Sequence, residues 1–375
     1  MAGSKVALFL PDFRGGGAER VCVNLANAFA ARGLNVDAVV MRHQGELLPL
    51  LDPRIKVVDL GAPRPRHVLP PLMRYLRAAR PDAVLANVWP LTILTALARM
   101  LSGVRCRLVV VEHTTWSFSK LARRWLMRMM IKGSMRCLLP RADAVVAVSR
   151  GAAADLEQFA GLAQGSVRTI YNPVAHGRGG ELAPLPENCA AWAAAGPHKR
   201  VLAVGTLKAV KDFAALIQAF ALLRNEVDAR LLILGEGEER ARLQQLIDAL
   251  GLQDRVDMPG FVPDTTPYYA HADLLVLSSD HEGFGNVIVE ALEQGVPVVS
   301  TDCPSGPRES LQDGKYGTLV PVGDVDALAA AMQASLQSTH DHAALKARAQ
   351  DFSVDRIADE YLHLLLPGWR EGRPA

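Results

Sequence analysis

At 375 residues, half of them hydrophobic, the chain is too long for one ordinary core and too apolar to be disordered, so it suits two domains. Its net charge of +2 hides an asymmetry: residues 1–180 carry 25 Lys and Arg against 11 Asp and Glu (+14), and residues 181–375 carry 16 against 28 (−12). Five scattered cysteines with no C-x-x-C pair argue against a disulfide frame or a cysteine metal site, the basic half carries no nucleic-acid motif, and no apolar run is long enough for a signal peptide or membrane span.

In the first half, short β-branched or apolar runs alternate with helical stretches. Strands are expected at Lys5–Leu10, Asn35–Met41, Ile55–Leu60, Ala83–Ala86, Arg107–Glu112, Ala144–Ser149 and Val167–Ile170. After the first strand, Arg14-Gly15-Gly16-Gly17-Ala18-Glu19-Arg20 opens a helix, and three glycines at such a turn let backbone approach a ligand closely. It is not a G-x-G-x-x-G dinucleotide fingerprint. Val110-Val111-Glu112-His113-Thr114-Thr115 ends another strand, the place where ligands sit in open α/β sheets; a histidine there is either a ligand contact or a structural cap. Between Ser119 and Arg136 lie Lys120, Arg123, Arg124, Arg128, Lys132 and Arg136 with no acid, interleaved with Leu121, Trp125, Leu126, Met127, Met129, Met130 and Ile131. As a helix this segment has a basic stripe and a Trp/Met/Leu side, which suits an anionic membrane surface as well as an ordinary amphipathic core helix.

From Asn172-Pro173 to Pro197 the chain is rich in Gly, Pro and Ala and reads as a linker. A second strand series follows: Arg200–Val204, Arg230–Leu234, Arg255–Met258, Asp273–Leu277, Pro297–Ser300 and Thr318–Val320. Gly205-Thr206-Leu207-Lys208-Ala209-Val210-Lys211 leaves the first of these toward a helix. Ser279 to Leu292 then joins a buried strand to a helix through Gly283-Phe284-Gly285-Asn286. It sets Glu282 in the turn and Glu290 on the second helical turn, beside backbone N–H groups that favour anionic oxygen. A ligand with hydroxyls at one end and phosphates in the middle, a nucleotide-sugar, fits that arrangement. Cys303 to Glu309 is another glycine turn before a helix, whose Glu309 is equally a first-turn acid. Asp324-Val325-Asp326 reads as an N-cap and an acidic first turn, so no metal is assigned to it.

Glu282, seven residues and Glu290, with Gly-Phe-Gly-Asn inside and Ala-Leu-Glu-Gln-Gly-Val-Pro behind, resembles the E-x7-E signature of the retaining GT-B glycosyltransferases of family 4. The GGAER loop, Glu112-His113, the Lys211 turn and the apolar tail follow in that family's order over nearly the whole chain. The resemblance implies Gly16 and Gly17 near the donor phosphates and acceptor, and His113 and Glu282 by the donor sugar. It implies Lys211 on the diphosphate, the backbone of Gly260, Phe261 and Val262 along the base, Gly283, Phe284, Gly285 and Asn286 around the donor, and Glu290 on the ribose hydroxyls. One departure stands out. Thr206 occupies the place of the family's diphosphate-clamping arginine, and Lys208, two residues on, is at most a partial substitute, since an ammonium does not bind phosphate bidentately.

The expected architecture is therefore α/β: a GT-B pair of doubly wound Rossmann-like domains with a cleft between them. The expected boundaries are an acceptor-side domain over 1–172, a linker over 173–198, a nucleotide-sugar domain over 199–350, and a C-terminal helix over 351–375 that crosses back. The expected activity is retaining transfer of a hexose or N-acetylhexosamine from a UDP-sugar to a lipid-linked or glycan acceptor in cell-envelope polysaccharide or glycolipid synthesis. His113, Lys211 and Glu282 are its catalytic residues. No metal or cofactor is expected, and no nucleic acid. The protein is expected in the cytoplasm, peripheral on the inner membrane face through Lys120–Arg136. A non-catalytic nucleotide-sugar binder and a GT-B epimerase remain as alternatives.

Overall fold

The structure is a computed structural model that describes residues 3–119, 124–177, 185, 189–193, 196–223 and 227–369. Lys120, Leu121 and Arg123 of the basic segment, most of the linker stretch beyond Gly177, and the tail from 370 onward lie outside the described residues. The chain divides into two compact units, one of Met1–Val174 with Ser353–Ala375 and one of Ala175–Phe352.

The first unit runs β1 (Lys5–Leu10), α1 (Gly17–Ala31), β2 (Asn35–Val40), β3 (Lys56–Asp59), α2 (Leu69–Ala79), β4 (Ala83–Asn87), α3 (Leu91–Ser102), β5 (Arg107–Glu112), α4 (Trp125–Leu138), β6 (Ala144–Ala147), α5 (Arg150–Ala160) and β7 (Val167–Thr169). The second runs α6 (Ala190–Ala193), β8 (Lys199–Val204), α7 (Phe213–Leu223), β9 (Ala229–Leu234), α8 (Arg240–Ala249), β10 (Val256–Gly260), α9 (Thr266–His271), β11 (Leu274–Leu277), α10 (Asn286–Gln294), β12 (Val298–Thr301), α11 (Pro307–Ser310), β13 (Thr318–Val320), α12 (Val325–Gln337) and α13 (His342–Ala349). The chain closes with α14 (Val354–Leu365), which belongs to the first unit.

The sheets are ordered β3-β2-β1-β4-β5-β6-β7 and β10-β9-β8-β11-β12-β13, and every pairing is parallel. Parallel strands need helical crossovers that cover both faces, which is why central strands such as β4 and β11 are buried end to end and apolar throughout most of their length. Each sheet reverses its winding direction once, between β1 and β4 in the first unit and between β8 and β11 in the second. At such a switch the connections leave in opposite directions and open a crevice at the strands' C-terminal ends.

Helix α14 lays Ile357, Tyr361, Leu364 and Leu365 against the first unit, and its buried face packs on α1. Arg32 at the end of α1 anchors it through Asp359 (2.9 Å) and Asp355 (3.2 Å), and Arg107 donates to the Leu364 carbonyl. Within the stretch read as a linker, Cys189 and Trp192 are buried, and the Trp192 indole donates to the Val201 carbonyl at 3.0 Å. That part of the stretch is packed on the second unit, a contact its Ala- and Pro-rich composition conceals.

Candidate active site

The sequence-selected residues lie at or beyond the C-terminal ends of β1 and β5 in the first unit and of β8, β10 and β11 in the second; of these strands, β1, β8 and β11 flank a switch point. In the second unit, β8 leads into Gly205 and the exposed Thr206 and Lys208, then a 3-10 turn at Ala209–Lys211. Lys211 thus precedes the helix proper. Asp212, at φ +41°, is the residue that caps α7, accepting from the Ala215 N–H at 3.2 Å. The neighbouring β11 is followed by Ser278 and Ser279, and three bonds tie the two loops together. The Ser278 hydroxyl donates to the Lys211 carbonyl (2.8 Å), the Asp280 N–H donates to the Val210 carbonyl (2.9 Å), and the Lys211 ammonium meets Glu282 Oε1 at 2.5 Å. Ser279 Oγ donates to the same Oε1 at 2.7 Å. Glu282 and Lys211 are both largely shielded, so their ion pair is a fixed part of the site and not a screened surface pair.

Glycines make these loops fit. A Cβ on Gly235 would stand 1.9 Å from the Gly205 carbonyl oxygen, and one on Gly306 would stand 2.3 Å from that of Phe284. Backbone therefore packs on backbone where a ligand needs closely spaced N–H groups. Gly260 (φ +105°) ends β10, and beyond it Phe261 is exposed and Val262 half-buried. Gly283 is half-buried, whereas Phe284 is buried and stacks edge-on with Phe352 at 5.3 Å. Gly285 (φ +83°) is the N-cap of α10 and Gly295 (φ +77°) its C-cap, so Asn286 opens the helix and Glu290 falls on its second turn. The buried Tyr269 donates to Glu290 Oε2 at 2.7 Å and orients the carboxylate. Burial pushes the Cys303 thiol up to about 12, helped by the nearby Glu282 charge, which makes it inert as a nucleophile. Asp324 Oδ1 accepts from the Ala327 N–H at 2.9 Å and Asp326 lies in the first turn of α12, a capping arrangement.

In the first unit, Gly16 is the N-cap of α1 and Gly17 its first residue; the Glu19 carboxylate reaches back over Gly16. The loop is braced by Asp12, buried at the end of β1, which accepts from Arg14 Nε (2.9 Å), Arg14 N–H (3.2 Å) and Gln44 Nε2 (3.1 Å). His113 follows β5, and its Nε2 lies 3.2 Å from Asn87 Oδ1. Burial pushes this imidazole down to about 4 and the adjacent Glu112 carboxyl up to about 7, the latter opposed by bonds from Thr92 Oγ1 (2.7 Å) and the Trp89 N–H (3.3 Å). Both side chains are therefore largely desolvated.

Four positions that sequence reasoning passed over support the candidates: Asp12, Asn87, Tyr269 and Ser279. Ser279 stands directly before the E-x7-E turn, within reach of a motif search. Asn87 and Tyr269 touch their partners only after folding, whereas Asp12 meets Arg14 two residues on and Gln44 only in the fold.

Comparison with known proteins identifies the family and the fold. Residues 15–178 match the family described as glycosyltransferase family 4, and residues 186–352 match glycosyl transferases group 1. The chain is 38% identical over 170 residues to the lipopolysaccharide core biosynthesis glycosyltransferase LpsE of Rhizobium meliloti, a match covering 44% of this chain and about half (49%) of that protein. It is 28% identical over 382 residues to a Campylobacter jejuni enzyme named as an N-acetylgalactosamine-N,N'-diacetylbacillosaminyl-diphospho-undecaprenol 4-alpha-N-acetylgalactosaminyltransferase, covering 96% of this chain and 99% of that one. Among solved structures it resembles Anabaena HepE in complex with UDP and glucose, with a TM-score of 0.79, 22% identity, and coverage of 96% and 99% of the two chains. These structural neighbours are built on the two-domain GT-B plan.

Proposed function

The chain belongs to the group 1, family 4 glycosyltransferases, and from that premise we propose that it transfers a sugar with retention from a UDP-sugar to a lipid-linked or glycan acceptor in cell-envelope synthesis. The observation that carries the reading is the Lys211–Glu282 pair at a switch point, with Glu290 on the helix that follows. The full-length relative named for transfer onto a diphospho-undecaprenol acceptor supports the acceptor class, and the UDP-bound structural neighbour supports the donor class.

The chemical demand is departure of a nucleoside diphosphate from an oxocarbenium-like sugar. Charge develops on the leaving diphosphate, so the useful groups are fixed donors and cations aimed there rather than a nucleophile. Lys211 is held by Glu282 and by the turn whose carbonyl Ser278 grips, so its charge is pre-positioned and needs little reorganisation. The N–H groups that open α10 add the positive end of a helix dipole. Glu290, oriented by Tyr269, takes the ribose hydroxyls, and Glu282 and His113 meet the donor sugar. No metal takes part in this reading.

We further place the enzyme peripherally on the inner membrane face, through α4. Met127, Ile131 and Met135 turn one stripe of that helix into the core, while Trp125, Leu126, Met129 and Met130 are exposed by 53–74%. Arg124, Arg128 and Arg136 are exposed and Lys132 half-buried, flanking that apolar face. Among the described residues no helix is long and apolar enough to cross a membrane. Radiolabelled sugar transfer from a panel of UDP- and GDP-sugars, with and without a lipid-diphosphate acceptor, tests the donor and acceptor assignments. Turnover confined to GDP-sugars, or equal with and without acceptor, would overturn the donor or the acceptor assignment respectively.

A further inference from the structure

Asn87 is buried at the C-terminal end of β4, beside the first unit's switch point. Its amide nitrogen faces two backbone carbonyls, Phe9 at 3.3 Å and Leu85 at 3.5 Å. Turning the amide over would set its oxygen against both of those oxygens, so the network fixes the NH2 group on the carbonyl side. Oδ1 must then face His113 Nε2, 3.2 Å away, and an oxygen there accepts only if Nε2 carries hydrogen. The other ring nitrogen, Nδ1, is shielded from solvent and has no hydrogen-bond partner among the described residues. The next residue, Val88, is held at φ +61° with its N–H on the Val111 carbonyl (3.0 Å). A β-branched residue is strained in that region, and such strain persists only where surrounding structure imposes it.

We infer that Asn87 is a positioning residue that locks His113 in the Nε2–H tautomer, leaving Nδ1 as an unprotonated nitrogen that can accept a hydrogen bond and cannot donate one. The inference rests on the reading of His113 as a sugar-side residue. It makes that histidine a poor partner for a diphosphate, which offers only acceptor oxygens. Glu112, the nearest buried carboxyl in sequence, is engaged with Thr92 and Trp89 and does not supply the orienting bond.

The test is long-range 1H–15N NMR on full-length protein labelled at histidine, with the His113 signals identified by their loss in His113→Gln. The parent is expected to show a protonated Nε2 and an unprotonated Nδ1 at neutral pH. Asn87→Ala and the isosteric Asn87→Leu are each expected to average the two nitrogens and to lower kcat about tenfold, with a smaller change in KM. A protonated Nδ1 in the parent, or an unchanged tautomer pattern in either variant, overturns the inference. If both variants fail to fold, a protonated Nδ1 in the parent still overturns the inference. A parent with the expected tautomer that transfers no sugar from any UDP-sugar supports the assignment and sinks only the donor reading.

Discussion

Replacing Glu290 by Gln separates the nucleotide site from the fold. The Tyr269 hydroxyl donates to Glu290 Oε2 at 2.7 Å inside the protein, and the glutamine amide oxygen accepts the same bond. Stability should therefore hold. On the proposed ribose role, what is lost is the charge in the bonds to the two ribose hydroxyls, about 1–3 kcal/mol, equivalent to roughly a 5- to 150-fold weaker UDP complex. Glu290→Ala is the contrasting variant, because it also removes the carboxylate that accepts from the buried Tyr269 hydroxyl. That costs about 1–3 kcal/mol of stability, or roughly 2–4 °C in Tm per kcal/mol for a unit of this size. Isothermal calorimetry with UDP and a thermal melt read the two effects separately. Parent-like UDP affinity in Glu290→Gln, with an unchanged melt, would remove Glu290 from the nucleotide site and with it the ribose role.

Other outcomes follow from the same geometry. Lys211→Ala should reduce kcat about a hundredfold or more in a folded protein, since it removes the cation proposed to face the leaving group; wild-type turnover would reassign Lys211 to holding the β8 and β11 loops together. Thr206→Arg, at an exposed position on the same loop, should raise turnover by supplying a bidentate phosphate donor, and a loss of activity would count against the clamp reading. Activity should persist in EDTA, and a loss restored by magnesium or manganese would overturn the metal-free reading. Gly235→Ala should sharply lower the melting temperature or the yield of folded protein, because its Cβ would lie 1.9 Å from the Gly205 oxygen at φ +146°. Finally, the protein should co-sediment with anionic vesicles and not neutral ones. Replacing Arg124, Arg128 and Lys132 with Glu should release it, each basic residue being worth about 1 kcal/mol near such a surface. A triple variant that sediments like the parent would reduce α4 to a solvated helix.

The strands were legible because parallel sheets bury both faces, so β1, β5 and β11 appear as continuous apolar runs without needing any partner to be known. The loops after β1, β8 and β11 were legible for a different reason. Each carries glycines at a strand-to-helix turn, a signal local in sequence, and Gly285 and Gly295 bracket α10 closely enough to place Glu290 on its second turn. The loop after β4 carries no such mark. Asn87-Val88-Trp89-Pro90 lacks glycine, and Val88 adopts positive φ against its own preference, so the turn chemistry that betrays the other loops is absent here.

The same limit explains the supporting side chains. Asn87 finds Phe9 across 78 residues of chain, and Tyr269 finds Glu290 across 21, pairings fixed by sheet order rather than by spacing. Lys211 and Glu282 lie 71 residues apart and were selected separately, each from its own motif, yet what joins them is that β8 and β11 are neighbours. Strand adjacency thus turns a family signature into a physical site. A lysine and a glutamate chosen for different ligand groups become one ion pair, and on the proposed reading Glu282 has a second duty: it sets the position of the cation proposed to stabilise the leaving group. Glu282→Gln should consequently impair more than sugar contact, lowering kcat and leaving Lys211 without its charged anchor. Because Ser279 still donates to the remaining carbonyl oxygen, the loop itself should stay folded. A kcat equal to the parent's in Glu282→Gln would show that Lys211 needs no such anchor.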